Sequence, residues 1–420
     1  MSVHVIGAGL AGLACAVRLS EGKQSVIVHE ATAHGGGRCR SFFDGVLNRR
    51  IDNGNHLLFS GNRQAMAYLR AIGTLDTLIQ PKRAVFDFLD LENGERWQVK
   101  PGRSRLPFWL FCRHMRVPGS SAIDHLAALK LARASKSATV TQVLGTSEPL
   151  FRKLWQPLCV SVLNTPPEEA SAALLWPVLK QILGQGEAAS RPCLARDGLS
   201  ESFIDPALAV LQERGGEFHF NHPLKSIRLE GKRANSLTFA GAEIILEPGD
   251  KVVLAVPAES IGVLLPELPR PDRFHAIVNA HFLLPHSSRE NSFLGLIGGV
   301  SHWLFVRGDI ASVTVSAADD LAVKPSDEIA RILWPEVLKA LELGDSPVGS
   351  YRIIKEKRAT FAQTPEQVGL RPNMMTPWKN VLMAGDWTDT GLPATIEGAI
   401  TSGHRAAEAI LIDPSTLLAT

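Results

Sequence analysis

Cysteine, tyrosine and long apolar runs are all scarce in this chain of 420 residues. The five cysteines, Cys15, Cys39, Cys112, Cys159 and Cys193, are scattered and never spaced C-x-x-C. That argues against a disulfide framework or a zinc site and for a reducing compartment. No run of eighteen or more apolar residues occurs, so a spanning helix is not expected. A formal net charge of +2 gives no basis for nucleic-acid binding. The start, MSVHVIGAGLAGLACAVRL, is apolar enough to imitate a signal peptide but lacks the basic leading region. There is no internal repeat and no low-complexity tract. The expectation is a soluble or peripheral protein with neither metal nor nucleic acid as partner, long enough for two lobes.

What is present is strongly patterned. VHVI reads as a buried strand, GAGLAG as a tight turn, LACAVRLSE as a helix and SVIVHE as a second strand, which together make a βαβ unit. A helix over about 62–72 follows, stopped by Gly73. Helical segments AIDHLAALKLARAS and EASAALLWPVLKQIL mark the next stretch. Strands are predicted in GEFHFNHPLKSIRLEG, SLTFAG, AEIILE and KVVLAVP. Recurring alternation from about 274 to 317 predicts an antiparallel meander, and SDEIARILWPEVLKAL a helix interrupted at Pro335. NVLMAGDW followed by TIEGAITSGHRAAEAIL repeats the order strand, glycine turn, helix.

Gly7, Gly9 and Gly12 form G-x-G-x-x-G between strand and helix, where a tight turn, backbone approach to a pyrophosphate and close packing each need glycine. The helix start at Leu10 and Ala11 supplies free N–H groups and partial positive charge for phosphate. Glu30, with Ala31 after it, ends the second strand at the spacing for a carboxylate that accepts ribose hydroxyls; a solvated strand-end charge is the plainer reading. A carboxylate there disfavours a 2′-phosphate, so the tightly bound nucleotide is not expected to be NADP. Gly36, Gly37 and Arg38 then add a close-passing chain and a bidentate cation suited to phosphate, which a simple NAD site does not need.

At these residues the sequence resembles the glutathione-reductase-like FAD superfamily, in its amine oxidase and carotenoid desaturase branch. The resemblance implies an α/β fold with an α+β second lobe. An FAD-binding Rossmann domain (1–75, 200–262 and 376–420) would carry an inserted substrate domain of antiparallel sheet plus helices (76–199 and 263–375). It places Gly385 and Asp386 at the pyrophosphate and ribityl chain, and Ala394, Thr395 and Ile396 under the flavin ring. Leu224 would lie at the adenine. The odd stretch RIDNGNHLLFSGN, residues 50–62, would run beside the isoalloxazine. Gly54, Asn55 and His56 would then face the flavin, and Leu57, Leu58 and Phe59 the start of the substrate cavity.

A finer resemblance covers nearly the whole chain. IDNGNHLLFSGN, LWQPLCVSVLNTPPEEASA, IKEKRATFAQTPE and AGDWTDTGLPATIEGAITSG are similar to the squalene-associated FAD enzymes, the hydroxysqualene dehydroxylase family of bacterial hopanoid biosynthesis. That implies reductive conversion of a long isoprenoid alcohol to squalene, at the cytoplasmic face of the inner membrane of a bacterium. Hydride would come from reduced FAD, with NADPH or a protein donor as external reductant. His56 is the first candidate for the acid that protonates the departing hydroxyl; a purely structural histidine is the competing reading. Lys357, Arg358 and Asp389 are rivals, and Asn164 reads as a cavity residue or a cap. SRLPFWLFCRHMRVPG is the membrane candidate, with Phe108, Trp109, Leu110 and Phe111 flanked by Arg103, Arg105, Arg113 and Arg116. A buried helix with snorkelling arginines explains the same residues. Three other readings stay open: a carotenoid-type desaturase running in the opposite redox direction, a flavin amine oxidase, and a prenyl-lipid escort protein without the flavin. The chain's two tyrosines, Tyr68 and Tyr351, weaken the amine oxidase, which wants an aromatic cage.

Overall fold

The computed structural model describes residues 1–104, 108–146, 149–288 and 291–412. Short runs rich in valine and isoleucine, buried on both faces, build a five-stranded parallel sheet. Its order is Glu217–His219, Ser25–His29, Ser2–Ile6, Lys251–Leu254, Val381–Met383. Helices Leu10–Glu21 and Ile396–Ile412 pack closely against each other, and Asp205–Glu213 joins the same apolar core. A three-stranded antiparallel sheet, Leu224–Glu230, Arg233–Phe239 and Ala242–Ile245, covers the other side. Gly7, Glu30, Ala255 and Gly385 all follow the carboxyl ends of parallel strands, where ligands of such sheets bind.

The second lobe is built on a seven-stranded sheet in the order Tyr351–Phe361, Phe274–Leu283, Ile310–Val315, Trp303–Arg307, Ser292–Ile297, Phe86–Asp90, Arg96–Val99. The expected meander is only partly realised. Ser292–Ile297, Trp303–Arg307 and Ile310–Val315 are successive antiparallel neighbours, but Phe274–Leu283 lies beyond Ile310–Val315. Ser292–Ile297 instead pairs in parallel with Phe86–Asp90, a strand from far earlier in the chain. Alternation marks strands but does not choose their neighbours.

Helix Ser326–Leu341 runs unbroken through Pro335, contrary to the expected interruption. Proline removes one backbone hydrogen bond, at about 3 kcal/mol. Leu333, Trp334 and Val337 around it are buried against the sheet, and their apolar contacts offset that loss. The segment expected as one helix from Ala122 onward divides into an α-helix, Ala122–Leu126, and a 3-10 stretch, Ala127–Arg133.

One feature of the nucleotide lobe has no counterpart in any motif. His4, His29 and His219 come from three adjacent strands and stack with His222 and Phe239. His29 Nε2 lies 3.2 Å from His4 Nδ1, and His29 Nδ1 lies 3.1 Å from His222 Nδ1. A chain of N–H···N bonds of this kind holds neutral rings, one donor and one acceptor to each link. Burial lowers His29 to about 3, with His4, His219 and His222 adding to the effect. Burial also lowers His4 and His222, although Asp250 and Glu217 oppose it at His4. The unfolded chain therefore binds protons that the folded one refuses. Stability is fully present above the ordinary histidine value of about 6.5 and is lost as pH falls below it. His29 alone accounts for roughly 1–2 kcal/mol between pH 6.5 and 5. Thermal melts from pH 7.5 to 5 are expected to show a falling Tm, and His29→Phe is expected to flatten the slope.

Candidate active site

The glycine turns are laced onto each other by the backbone. Gly7 N–H donates to the His29 carbonyl at 2.7 Å, and Gly36 N–H to the Ala8 carbonyl at 2.7 Å. Gly7 has φ +108°, and a Cβ there would lie 2.5 Å from the Ala255 carbonyl oxygen, so only glycine fits. A Cβ at Gly9 would meet nothing within 4 Å, so the chain leaves open space over the helix start at Leu10–Gly12. That opening, at the N-terminus of a twelve-residue helix, fits a pyrophosphate. Glu30 Oε2 accepts from Ala8 N–H at 2.8 Å, and Oε1 from the Thr32 N–H and hydroxyl, each at 2.9 Å. Three of its four acceptor positions are thus filled by protein, and one remains for a hydroxyl. Ala31 is exposed beside it. Asn221 and His222 donate to the Thr32 and Glu30 carbonyls, which brings Leu224, the first residue of its strand, alongside this segment.

Arg38 does not point at phosphate alone. It donates to the Ala359 carbonyl and, at 2.7 Å, to Asp386 Oδ1, so two residues expected to meet the cofactor separately are partners. Asp386 is the largest cause of the raised Arg38 pKa. Gly385 N–H donates to Ser402 Oγ at 2.8 Å, Ala394 N–H to Gln363 Oε1 at 3.0 Å, and Gly398 N–H to Thr395 Oγ1 at 3.1 Å just after the helix begins at Ile396. Sequence patterns missed Arg371. Its guanidinium is buried over Phe361 and donates to the Asp386 and Thr388 carbonyls and to Thr390 Oγ1. Burial pushes it down to about 10, against Asp389 and Asp386. Its Nε and Nη1 have no partner among the described residues, an orphaned pair of donors that fits an acceptor-rich cofactor. The only sequence signal was an arginine shortly before a buried strand.

The stretch 53–59 crosses from one lobe to the other. Asn53 is buried, its carbonyl accepting from Asn279 Nδ2 at 3.3 Å, and a Cβ on Gly54 would approach that same amide at 3.1 Å. Asn55 Nδ2 donates to Thr314 Oγ1 at 3.0 Å, and Thr314 in turn donates to Asn279 Oδ1 at 2.8 Å. His56 makes no hydrogen bond among the described residues and lines a small pocket with Asp52, Leu194, Leu199, Phe305, Arg307 and Ser312. Desolvation lowers His56 to about 4, with the Arg38 charge adding and Asp52 opposing. Leu57 and Phe59 pack into the second lobe's aromatic cluster of Phe86, Phe88, Trp97, Phe293 and Trp303. Leu58 does not line that side. Strand alternation turns it into the nucleotide-lobe core, paired with Cys193.

The rivals to His56 are elsewhere. Lys357 and Arg358 are exposed, Arg358 against Glu259, and Asp389 Oδ1 accepts from Gly391 N–H at 3.2 Å. Asn164 is a left-handed helix C-cap whose amide holds Ala317, Thr360 and His275. Tyr68 is buried in the nucleotide core and Tyr351 packs beside Phe282, so neither meets this pocket.

A family model for flavin containing amine oxidoreductases matches residues 10–285 and 304–411. The hydroxysqualene dehydroxylase of Rhodopseudomonas palustris is 45% identical over 98% of both chains. That of Zymomonas mobilis is 42% identical over 98% of this chain and 99% of its own. The chain belongs to the hydroxysqualene dehydroxylase family, within the flavin-containing amine oxidoreductases. It is an FAD-dependent oxidoreductase. The fold is shared with the solved cyclohexylamine oxidase of Brevibacterium oxydans at TM-score 0.69 and 18% identity, covering 98% of both chains.

The pairing of Arg38 with Asp386 yields a direct test. Arg38→Met is expected to weaken FAD retention by about tenfold or more, read as flavin absorbance per protein after gel filtration. Lys357→Met, on the surface, is expected to leave it unchanged.

Proposed function

We propose that this enzyme reductively dehydroxylates hydroxysqualene to squalene. The observation that carries the reading is the junction at residues 53–59. One end is a polar pocket beside His56, and the other is a wall of aromatic rings suited to a hydrocarbon chain. The identity to hydroxysqualene dehydroxylases over nearly the full length supports the substrate class.

Bound FAD would supply hydride, held by the glycine turns, Glu30, the Arg38–Asp386 pair and the loop shaped by Arg371. The chain's own part is to bind the polyene, exclude water and assist departure of the allylic hydroxyl. His56, lowered to about 4, is neutral at pH 7: its N–H donates to the hydroxyl as the C–O bond breaks, and a solvent proton taken up at the other ring nitrogen replaces the one passed on, so that the oxygen leaves as water. Phe305 lines the pocket and Phe293 and Trp303 cluster behind it; aromatic rings next to a reacting carbon favour positive charge on it. The deciding experiment is anaerobic. The flavin is reduced with NADPH or with dithionite, hydroxysqualene is added, and reoxidation is followed against squalene formed. Stoichiometric squalene supports the reading. A flavin that stays reduced, yet is bleached from its oxidised form by squalene or a carotene precursor, favours a desaturase. His56→Gln, which keeps an N–H donor, is expected to retain kcat within about tenfold, and His56→Leu to lose about 100-fold. Neither profile is expected to break between pH 5.5 and 8.

Access to so apolar a substrate implies a membrane surface, and the segment expected to dock there is reshaped by the fold. It is not a long helix but two 3-10 turns, Phe108–Phe111 and Arg113–Met115; Arg105 and Pro107 lie outside the described residues. Leu110 is buried, and Trp109 turns inward onto Gly102 and His125. Phe108 and Phe111 remain exposed, at 61% and 73%. The adjoining helix and the 3-10 stretch after it add Ile123, Leu126 and Leu129, also exposed and spaced every third residue. Arg103, Arg113, Lys130 and Arg133 are exposed in the same segments. Apolar side chains with a basic surround fit an anionic bilayer. No described helix is long and apolar enough to cross one. Paired Phe111→Asp and Ile123→Asp substitutions are expected to reduce binding to phosphatidylglycerol vesicles about tenfold or more, measured by co-sedimentation, without loss of bound flavin.

A further inference from the structure

The pocket beside His56 contains an ion pair that the reading above does not require. Asp52 is 5% exposed, and three of its four acceptor positions are taken: two on Oδ1 by the Ser41 hydroxyl at 2.6 Å and Leu199 N–H at 2.9 Å, one on Oδ2 by Arg307 Nη1 at 2.8 Å. Arg307 ends the Trp303–Arg307 strand, on the same face as Phe305 and Trp303. Two of the pocket's other polar side chains are engaged by the protein. Asn55 donates to Thr314, and the Ser312 hydroxyl bonds the His281 ring at 2.7 Å. Arg307 makes only the Asp52 bond among the described residues, and its side chain is 30% accessible. A guanidinium has five N–H groups, so the side chain keeps donors beyond the Asp52 bond among the described residues, at a pocket that it lines.

A squalene-type alcohol has one polar atom on a chain of repeating isoprene units. Apolar walls bind such a chain almost equally well when it slides by one unit, because each register buries the same surface. Only a directed hydrogen bond breaks that degeneracy. Resting on the proposed dehydroxylation, we propose that Arg307, fixed by Asp52, donates to the substrate hydroxyl and so sets the register of the chain, with the C–O bond at the reacting position beside His56. Asp52 is a positioning residue: it aims the guanidinium and keeps its charge from being buried uncompensated. The apolar side of the pocket, Leu194, Leu199, Phe305 and Val306, holds the neighbouring isoprene unit.

The test uses oxidised holoenzyme, which binds both alcohol and hydrocarbon without turnover, and reads affinity from perturbation of the flavin spectrum. Arg307→Gln is expected to weaken hydroxysqualene binding by about tenfold or more while squalene binding stays unchanged, since a hydrogen bond to a charged donor is lost for the alcohol only. Arg307→Lys, which keeps a charge for Asp52, is expected to fall between, and guards against misfolding of the first variant. Equal losses for both ligands, or no loss for either, in an enzyme whose wild type converts hydroxysqualene would overturn the assignment alone. A wild type whose reduced flavin hydroxysqualene does not reoxidise would overturn the catalytic reading and this assignment with it.

Discussion

The structure turns on one cation. Arg38 emerges from the second glycine turn, donates to Asp386 in the loop after the last parallel strand, and also to the Ala359 carbonyl in the edge strand of the other lobe. A turn near the start of the chain is thereby tied, through one guanidinium, to two segments more than 300 residues further on. The Asp386 loop is held from behind by a second buried arginine, Arg371, through its carbonyls. Asp386 and Asp389 oppose the two arginine charges, while Nε and Nη1 of Arg371, without a partner among the described residues, remain as donors for a cofactor's oxygens. The protein's own hydrogen bonds shape the pocket, and the cofactor would complete them.

A second tie joins the lobes. Glu397, in the first turn of the C-terminal helix, accepts from the Gln64 and Ala65 N–H groups and from Gln181 Nε2 in the second lobe. A carboxylate at a helix N-terminus is favourable by itself. Here it also fixes the stretch 53–62 between two points, the Asn279–Thr314 amide network at one end and the start of helix Arg63–Ala71 at the other. The mixed composition of that stretch follows. Its first half must satisfy amides and leave a ring nitrogen free, and its second half must alternate between two cores, Leu57 and Phe59 into one and Leu58 into the other.

What sequence could reveal was what depends on local backbone needs. The glycine turns, Glu30 at a strand end and the return of strand, turn and helix near residue 381 are each specified within a dozen residues, and each has the predicted local form. Strand neighbours were not legible. Whether Phe274–Leu283 sits beside Ser292–Ile297 or Ile310–Val315 is decided by tertiary packing, and both alternate equally well. Arg371 and Arg307 were invisible for the same reason. A lone arginine is ordinarily a surface charge, and only pairing with Asp52, 255 residues away, makes Arg307 part of a pocket. The docking segment failed in the opposite direction. Its composition was informative, but burial of Leu110 and the exposure of Ile123, Leu126 and Leu129 depend on how two short turns pack.

The electrostatic design of the pocket suits removal of a hydroxyl more than handling of an amine. A cage for an amine needs rings flanking a position that holds a cationic or neutral nitrogen, and both tyrosines are placed elsewhere. Here the groups beside the stretch 53–59 are a neutral imidazole, held at about 4 by burial, and an arginine neutralised by a buried aspartate. Such a pair adds almost no net charge to an apolar cavity, so it does not penalise entry of a hydrocarbon. It does present donors where a single oxygen must be recognised. On the proposed reading, donors that keep one protonation state around neutral pH assist a leaving oxygen without a break in the pH profile. The fold has its own lower limit in the histidine stack, where the His4, His29 and His222 rings must remain neutral. Acid therefore acts first on the fold, through that stack rather than through the pocket beside His56.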